Sequence, residues 1–164
     1  MSGRGLSPEG RFEESALLAK AKDLERLARL LREHRLLLAY HNHNPEFANR
    51  NAEMEGLARN TSADLVHFLM DAGHGYLGGG DPAEFLDRHA SRVYGIHLKT
   101  FRGKETSGQV PLGQGDFDFQ ELAAVVKKRD WSGWLITEEG GGPKAGNPAV
   151  LGPDREHIRK LFGV

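Results

Sequence analysis

The sequence predicts an α/β fold with parallel strands. Short apolar runs alternate four times with helical stretches, and the segments after the runs are longer and more polar than those before them. A second observation points the same way: the runs LLLAYHNH, DLVHFLMDAGH, RVYGIHLK and GWLITEE all pass from apolar to polar residues. This places His41 and His43, Asp71 and His74, His97 and Lys99, and Glu138 at the carboxyl ends of four predicted strands. In parallel α/β proteins that edge is where ligands bind. Imidazoles and carboxylates converging there suggest a divalent-metal site.

In chain order, residues 13–34 read as an amphipathic helix, because Leu17, Ala21, Leu24, Ala28 and Leu31 recur at three- and four-residue spacing among charged residues. Ser15 and the nearby acids suit its amino end, and residues 1–12 are expected to be flexible. Leu36 to Tyr40 is too short for a helix and reads as a strand buried on both faces. A helix over Asn51 to Asn60 and a strand over Asp64 to Met70 follow, with glycines beyond Asp71. Asp81-Pro82 starts a helix through His89, as an N-cap followed by Pro at the first helical position does. The third strand runs from Arg92 to Leu98. The long polar segment FRGKETSGQVPLGQGDFDF has too much Gly and too little periodicity for regular structure and is a candidate lid. Residues 119–129 form a helix, Trp134 to Glu138 a strand and GGGPKAGNP another loop at the same edge, and Asp154 caps a last helix.

Composition narrows the function. A chain of 164 residues, 38% hydrophobic and 27% charged, fits a single domain, 1–164, able to bury a core. A net charge of −1 argues against nucleic acid or an anionic membrane as partner, since either calls for a basic patch. Without cysteine, a metal must be held by nitrogen and oxygen. No apolar run is long enough to span a bilayer, and the start MSGRGLSPEGRFEE lacks a secretory core, so a cytoplasmic location is the expectation.

YHNHNPEF, FLMDAGHGYLGGGDP, RVYGIHLKT, PLGQGDFDF and GWLITEE together resemble the second half of the xylose-isomerase-like TIM barrels, a family of sugar phosphate isomerases, epimerases and inosose dehydratases. The resemblance covers residues 13–164. It implies the last four of eight β/α units, with a divalent cation, often manganese, held from strand ends. By position it implies Asp71, His97 and Glu138 as metal ligands. Where many relatives carry a ligating Glu that also serves as acid/base, this chain has His41, then Asn42 and His43. That substitution removes one of the two carboxylates a two-Glu epimerase uses.

The residue types fit the chemistry on their own terms. Imidazole with carboxylate suits Mn, Fe, Co or Zn better than calcium, and Mg is an alternative. The resemblance puts Mn first. A cation on the oxygens of a sugar or cyclitol acidifies the adjacent C–H and stabilises an enediolate. His74 is then a candidate to bind or protonate a substrate oxygen, and Glu138 to couple metal binding with proton transfer. His43 and Glu46 are candidate bases, and Lys99 a substrate contact neutralising an oxyanion or phosphate. His34, His67 and His89 read as packing or surface residues, Glu139 as structural, Trp131 and Trp134 as helix-to-strand packing, and Lys127, Lys128 and Arg129 as a solvated helix end.

Eight units need about 250 residues, so this chain supplies half a barrel with two sheet edges and an apolar inner face to cover. A second copy or another chain completes it on this reading. Three functions follow: an isomerase or epimerase first, a keto-sugar or inosose dehydratase or lyase second, and a non-catalytic half-barrel subunit or remnant third. An apurinic-endonuclease-like role ranks below these because the chain is not basic.

Overall fold

The computed structural model describes residues 5–138 and 148–164. Most of the GGGPKAGNP loop, and Glu139, lie outside the described residues. The elements in chain order are α1 (Glu14–Glu33), β1 (Leu38–His41), α2 (Asn44–Asn60), β2 (Val66–Asp71), α3 (Ala72–Leu77), α4 (Pro82–His89), β3 (Val93–Leu98), β4 (Thr100–Phe101), β5 (Gln109–Val110), α5 (Gln120–Lys128), β6 (Trp134–Thr137) and α6 (Leu151–Phe162). Four strands form one parallel sheet in the order β1-β2-β3-β6, leaving β1 and β6 as its edges. This is the architecture of four consecutive β/α units. Among the described residues no helix is long and apolar enough to cross a membrane.

Strand alternation divides the sheet into two faces. Leu38 and Tyr40 of β1, with Val66, Phe68 and Met70 of β2, point under the helices and are almost fully buried. There Phe68 meets Phe85 of α4 edge to face. Leu17, Ala21, Leu24 and Ala28, the predicted stripe, are the buried residues of α1. The other face carries Ala39, His41, Leu69, His97 and Ile136, all only partly buried, and Trp134, which is 77% exposed. Trp134 therefore does not pack helix against strand, because it points to the sheet face that the chain's own helices leave open. Trp131 does pack, and its indole N–H donates to Val93 O at 2.8 Å.

Three local features differ from the sequence reading. The second helix begins at Asn44 rather than Asn51 and is broken at Ala48–Asn51, where Asn49, Arg50 and Asn51 have φ of 50°, 60° and 61°. The break turns Asn51 toward Asp81, and the two exchange hydrogen bonds of 2.8 and 2.9 Å. The segment after β3 is not irregular throughout, since β4 and β5 pair antiparallel; strands of two residues leave no periodicity to read. Asp154 does not cap α6, which starts at Leu151. Its carboxylate is buried and accepts from Leu112 N at 2.9 Å, holding the PLG turn. Residues 5–12 make contacts with the domain: Leu6 N donates to Glu53 Oε2 at 2.7 Å and Phe12 packs on the core.

Candidate metal centre

Register explains how distant residues meet. In the parallel sheet Asp71 stands beside His97, and His97 beside Ile136, so the last residues of β2 and β3 share a level and a face with the end of β6. His41, the last residue of β1, reaches across to Asp71, with Nε2 and Oδ2 3.4 Å apart. His97 Nδ1 is hydrogen-bonded to Glu138 Oε2, just past the end of β6. Donor atoms of His41, Asp71, His97 and Glu138 all lie within 4.8 Å of one another.

The chain after β1 is fixed by an amide. Asn42, fully buried, accepts from Asp71 N at 2.8 Å and donates to Asp71 O at 3.0 Å, tying the end of β1 to the end of β2. Asp71 is also the N-cap of α3, accepting from His74 N at 2.8 Å through Oδ1, which leaves Oδ2 for the cluster. His74 comes from the first turn of α3. Its Nδ1 lies 2.6 Å from Asn44 Oδ1, which fixes the proton on Nδ1 and leaves Nε2 as an acceptor 4.0 Å from Asp71 Oδ2. His43, the N-cap of α2, stands between the His41 and His74 rings, with centroids 5.3 and 4.9 Å away.

Lys99 lies inside the cluster. Its Nζ is 2.8 Å from Asp71 Oδ2 and 2.9 Å from Glu138 Oε1. Burial pushes the Asp71 carboxyl up, but His41, Lys99 and His74 outweigh it and hold the acid below its usual range. His97 first, and Lys99 with it, hold Glu138 well below the carboxylate range against partial burial. Burial pushes His74 down to about 4, against the pull of Asp71, so its ring is neutral near pH 7.

The donor set fits a divalent ion. Two nitrogens and two carboxylates match Mn or Zn, and the 3.4 Å between His41 Nε2 and Asp71 Oδ2 is about the spacing of two ligands on a four-coordinate ion bound at ~2.1 Å. His41 Nε2 is buried without a hydrogen bond, which an ion would remedy, whereas Asp71 Oδ2 faces the Lys99 ammonium.

A family model described as xylose isomerase-like TIM barrel matches residues 1–161. The chain belongs to the xylose isomerase-like TIM barrel family. One relative is inosose dehydratase from Salmonella agona, 29% identical over 169 residues, an alignment that takes in 92% of this chain and 56% of the relative. Among solved structures, the IOLI protein with a bound zinc atom superposes with a TM-score of 0.77 at 13% identity, over 93% of this chain and 59% of that one. A sugar phosphate isomerase/epimerase from Parabacteroides distasonis gives 0.70 at 18% identity, over 93% and 55%. The chain thus spans about half the length of the xylose isomerase-like barrels it matches.

Of the residues selected from sequence, the structure brings together His41, Asp71, His97, Glu138, Lys99, His74 and His43, and leaves Glu46 out. Glu46 is fully buried, accepting from Tyr40 O–H at 2.8 Å and from His43 N at 3.1 Å. It closes the first turn of α2 and is not available as a base in this arrangement. Sequence reasoning missed Asn42 and Asn44. Both lie in the HNHN run, where the alternation of amides and imidazoles was the available signal.

Proposed function

We propose that the chain carries the metal-holding half of a divalent-metal-dependent enzyme that removes water from a hydroxylated cyclic ketone, a keto-cyclitol or keto-sugar. The observation that carries this reading is the cluster of His41, Asp71, His97 and Glu138 at the carboxyl edge of the sheet, with an unprotonated imidazole beside it. The inosose dehydratase relatives support the substrate class. Bound by those four residues, a divalent ion, Mn first and Zn second, supplies Lewis-acid polarisation of the carbonyl.

The chain's own groups account for the proton. Loss of water breaks the C–H bond beside the carbonyl and the C–O bond one carbon further on. His74 Nε2, free because Nδ1–H faces Asn44, accepts the proton, and the imidazolium returns it to the departing hydroxyl, so water leaves and the residue is reset. One shuttle on one face suffices for elimination. Epimerisation needs groups on both faces of the carbon, and here β1 ends in His41 while Glu138 is engaged by His97 and Lys99. A sugar isomerase or epimerase is the second reading, favoured by the 38% exposure of the Glu138 side chain.

The test is metal content beside turnover. Protein purified without chelator should hold about one equivalent of Mn, Fe, Co or Zn, and Asp71→Ala should lose it. A keto-cyclitol should yield a product lighter by one water. Exchange of substrate hydrogen with solvent and no loss of water would select the second reading, and unchanged turnover in Asp71→Ala would overturn both.

The open sheet face calls for a partner, which we propose to be a complementary set of β/α units from a second copy or another chain. A groove of about 710 Å³ beside the β6 edge, lined by Trp134, Leu135, Leu151, Ile158 and Val164, supports this reading.

A further inference from the structure

We propose that Lys99 is a built-in counter-cation that competes with the divalent ion for Asp71 and Glu138. The inference rests on the metal-centre reading and concerns how that centre is tuned.

Three observations carry it. First, the ammonium lies between two of the four donor residues, 2.8 Å from Asp71 Oδ2 and 2.9 Å from Glu138 Oε1, pairing with both carboxylates. Second, Lys99 is 4% exposed, so water screens its charge weakly and the two carboxylates are its main compensation. Third, the fold makes room for its stem: a Cβ at Gly73 would come within 2.4 Å of both Lys99 Cγ and Lys99 O. Gly73, in the first turn of α3, lets the β3 end and the lysine stem lie directly against the helix.

The energetic consequence has a definite sign. Without metal, the ammonium offsets the repulsion between two partly desolvated carboxylates. With metal, the same positive charge lies next to a dication. Both effects weaken metal binding relative to a neutral residue of similar length. If Lys99 instead oriented the ligands in the loaded state, removing it would weaken binding.

The experiment titrates Mn²⁺, and separately Zn²⁺, into chelator-treated native protein, Lys99→Met and Lys99→Arg by calorimetry, with thermal melts of each metal-free form. Lys99→Met should bind at least about tenfold tighter than native and melt earlier without metal, while Lys99→Arg, which keeps the charge, should bind no tighter than native. If Lys99→Met does not fold without metal, the Mn²⁺ concentration that restores its fold reads the same affinity. Equal or weaker binding by Lys99→Met, with native protein binding normally, overturns this inference alone. No uptake of either ion by native protein or Lys99→Met overturns it together with the metal-centre reading.

Discussion

Asn42 and Asp71 exchange two hydrogen bonds, side-chain amide to backbone, across the carboxyl ends of adjacent parallel strands. The pair holds the most buried carboxylate of the cluster in register with His41. Asn42→Ala leaves a buried N–H and a buried C=O of Asp71 without these partners and should cost about 2–4 kcal/mol, read by urea denaturation. It should also weaken metal uptake, although Asn42 is not a ligand. Native-like stability in the variant would show that the clamp is dispensable.

Glu46 gives the complementary case. Glu46→Ala removes the acceptor of the Tyr40 O–H and of the His43 N–H, leaving the Tyr40 oxygen its Lys20 ammonium, and should cost about 2–3 kcal/mol, while the metal content of the folded protein stays near that of the native chain. Loss of metal with stability unchanged would return Glu46 to the site.

Acid should destabilise the chelator-treated protein in a defined window. His74 is depressed to about 4 in the fold against 6.5 in the unfolded chain. Below pH 6.5 the unfolded chain therefore takes up a proton that the native state refuses, and stability falls until pH 4. His67, also lowered by burial, adds in the same direction. Asp71 and Glu138, held below their ordinary values, lose their contribution at still lower pH as they protonate in the fold. His74→Asn should flatten the slope between pH 6.5 and 4 by on the order of 2 kcal/mol in total, measured by denaturation at a series of pH values.

The left-handed run in α2 contains one residue poorly suited to it. Asn49 and Asn51 tolerate positive φ, whereas Arg50, exposed at φ 60°, does not. Arg50→Gly should raise stability by about 0.5–1 kcal/mol, seen as a higher melting temperature. A lower one would mean that the arginine side chain supports the break.

Trp134 tests the covering of the inner face. If a partner packs there, Trp134→Glu should lower the native mass measured by light scattering. Identical masses for variant and native protein would remove this face from the interface.

Much of the site was legible because an apolar run ending in His, Asp or Glu fixes both a strand and the edge at which it stops. His41, Asp71, His97 and Glu138 were all placed at one sheet edge that way, where the structure brings them together, and the Asp81-Pro82 helix start was legible from its cap. The capping position of Glu46 was not legible because, although three residues from His43 is a capping spacing, the N-cap there is His rather than Ser or Thr. Trp134 was misread because alternation reports that a residue faces away from solvent-like neighbours, not whether the layer it faces exists. Asn42 was passed over because an amide after a strand carries no charge to mark it. The short α3 lay within a glycine-rich stretch that reads as a turn.

The four donors come from four successive strands, each separated from the next by an intervening helical crossover. An ion held by all of them therefore fastens the chain to itself across most of its length, closing three long loops at one point. In a polypeptide with no cysteine, such an ion would stabilise the fold by binding the native state and not the unfolded chain, so its removal by a chelator would take that contribution away.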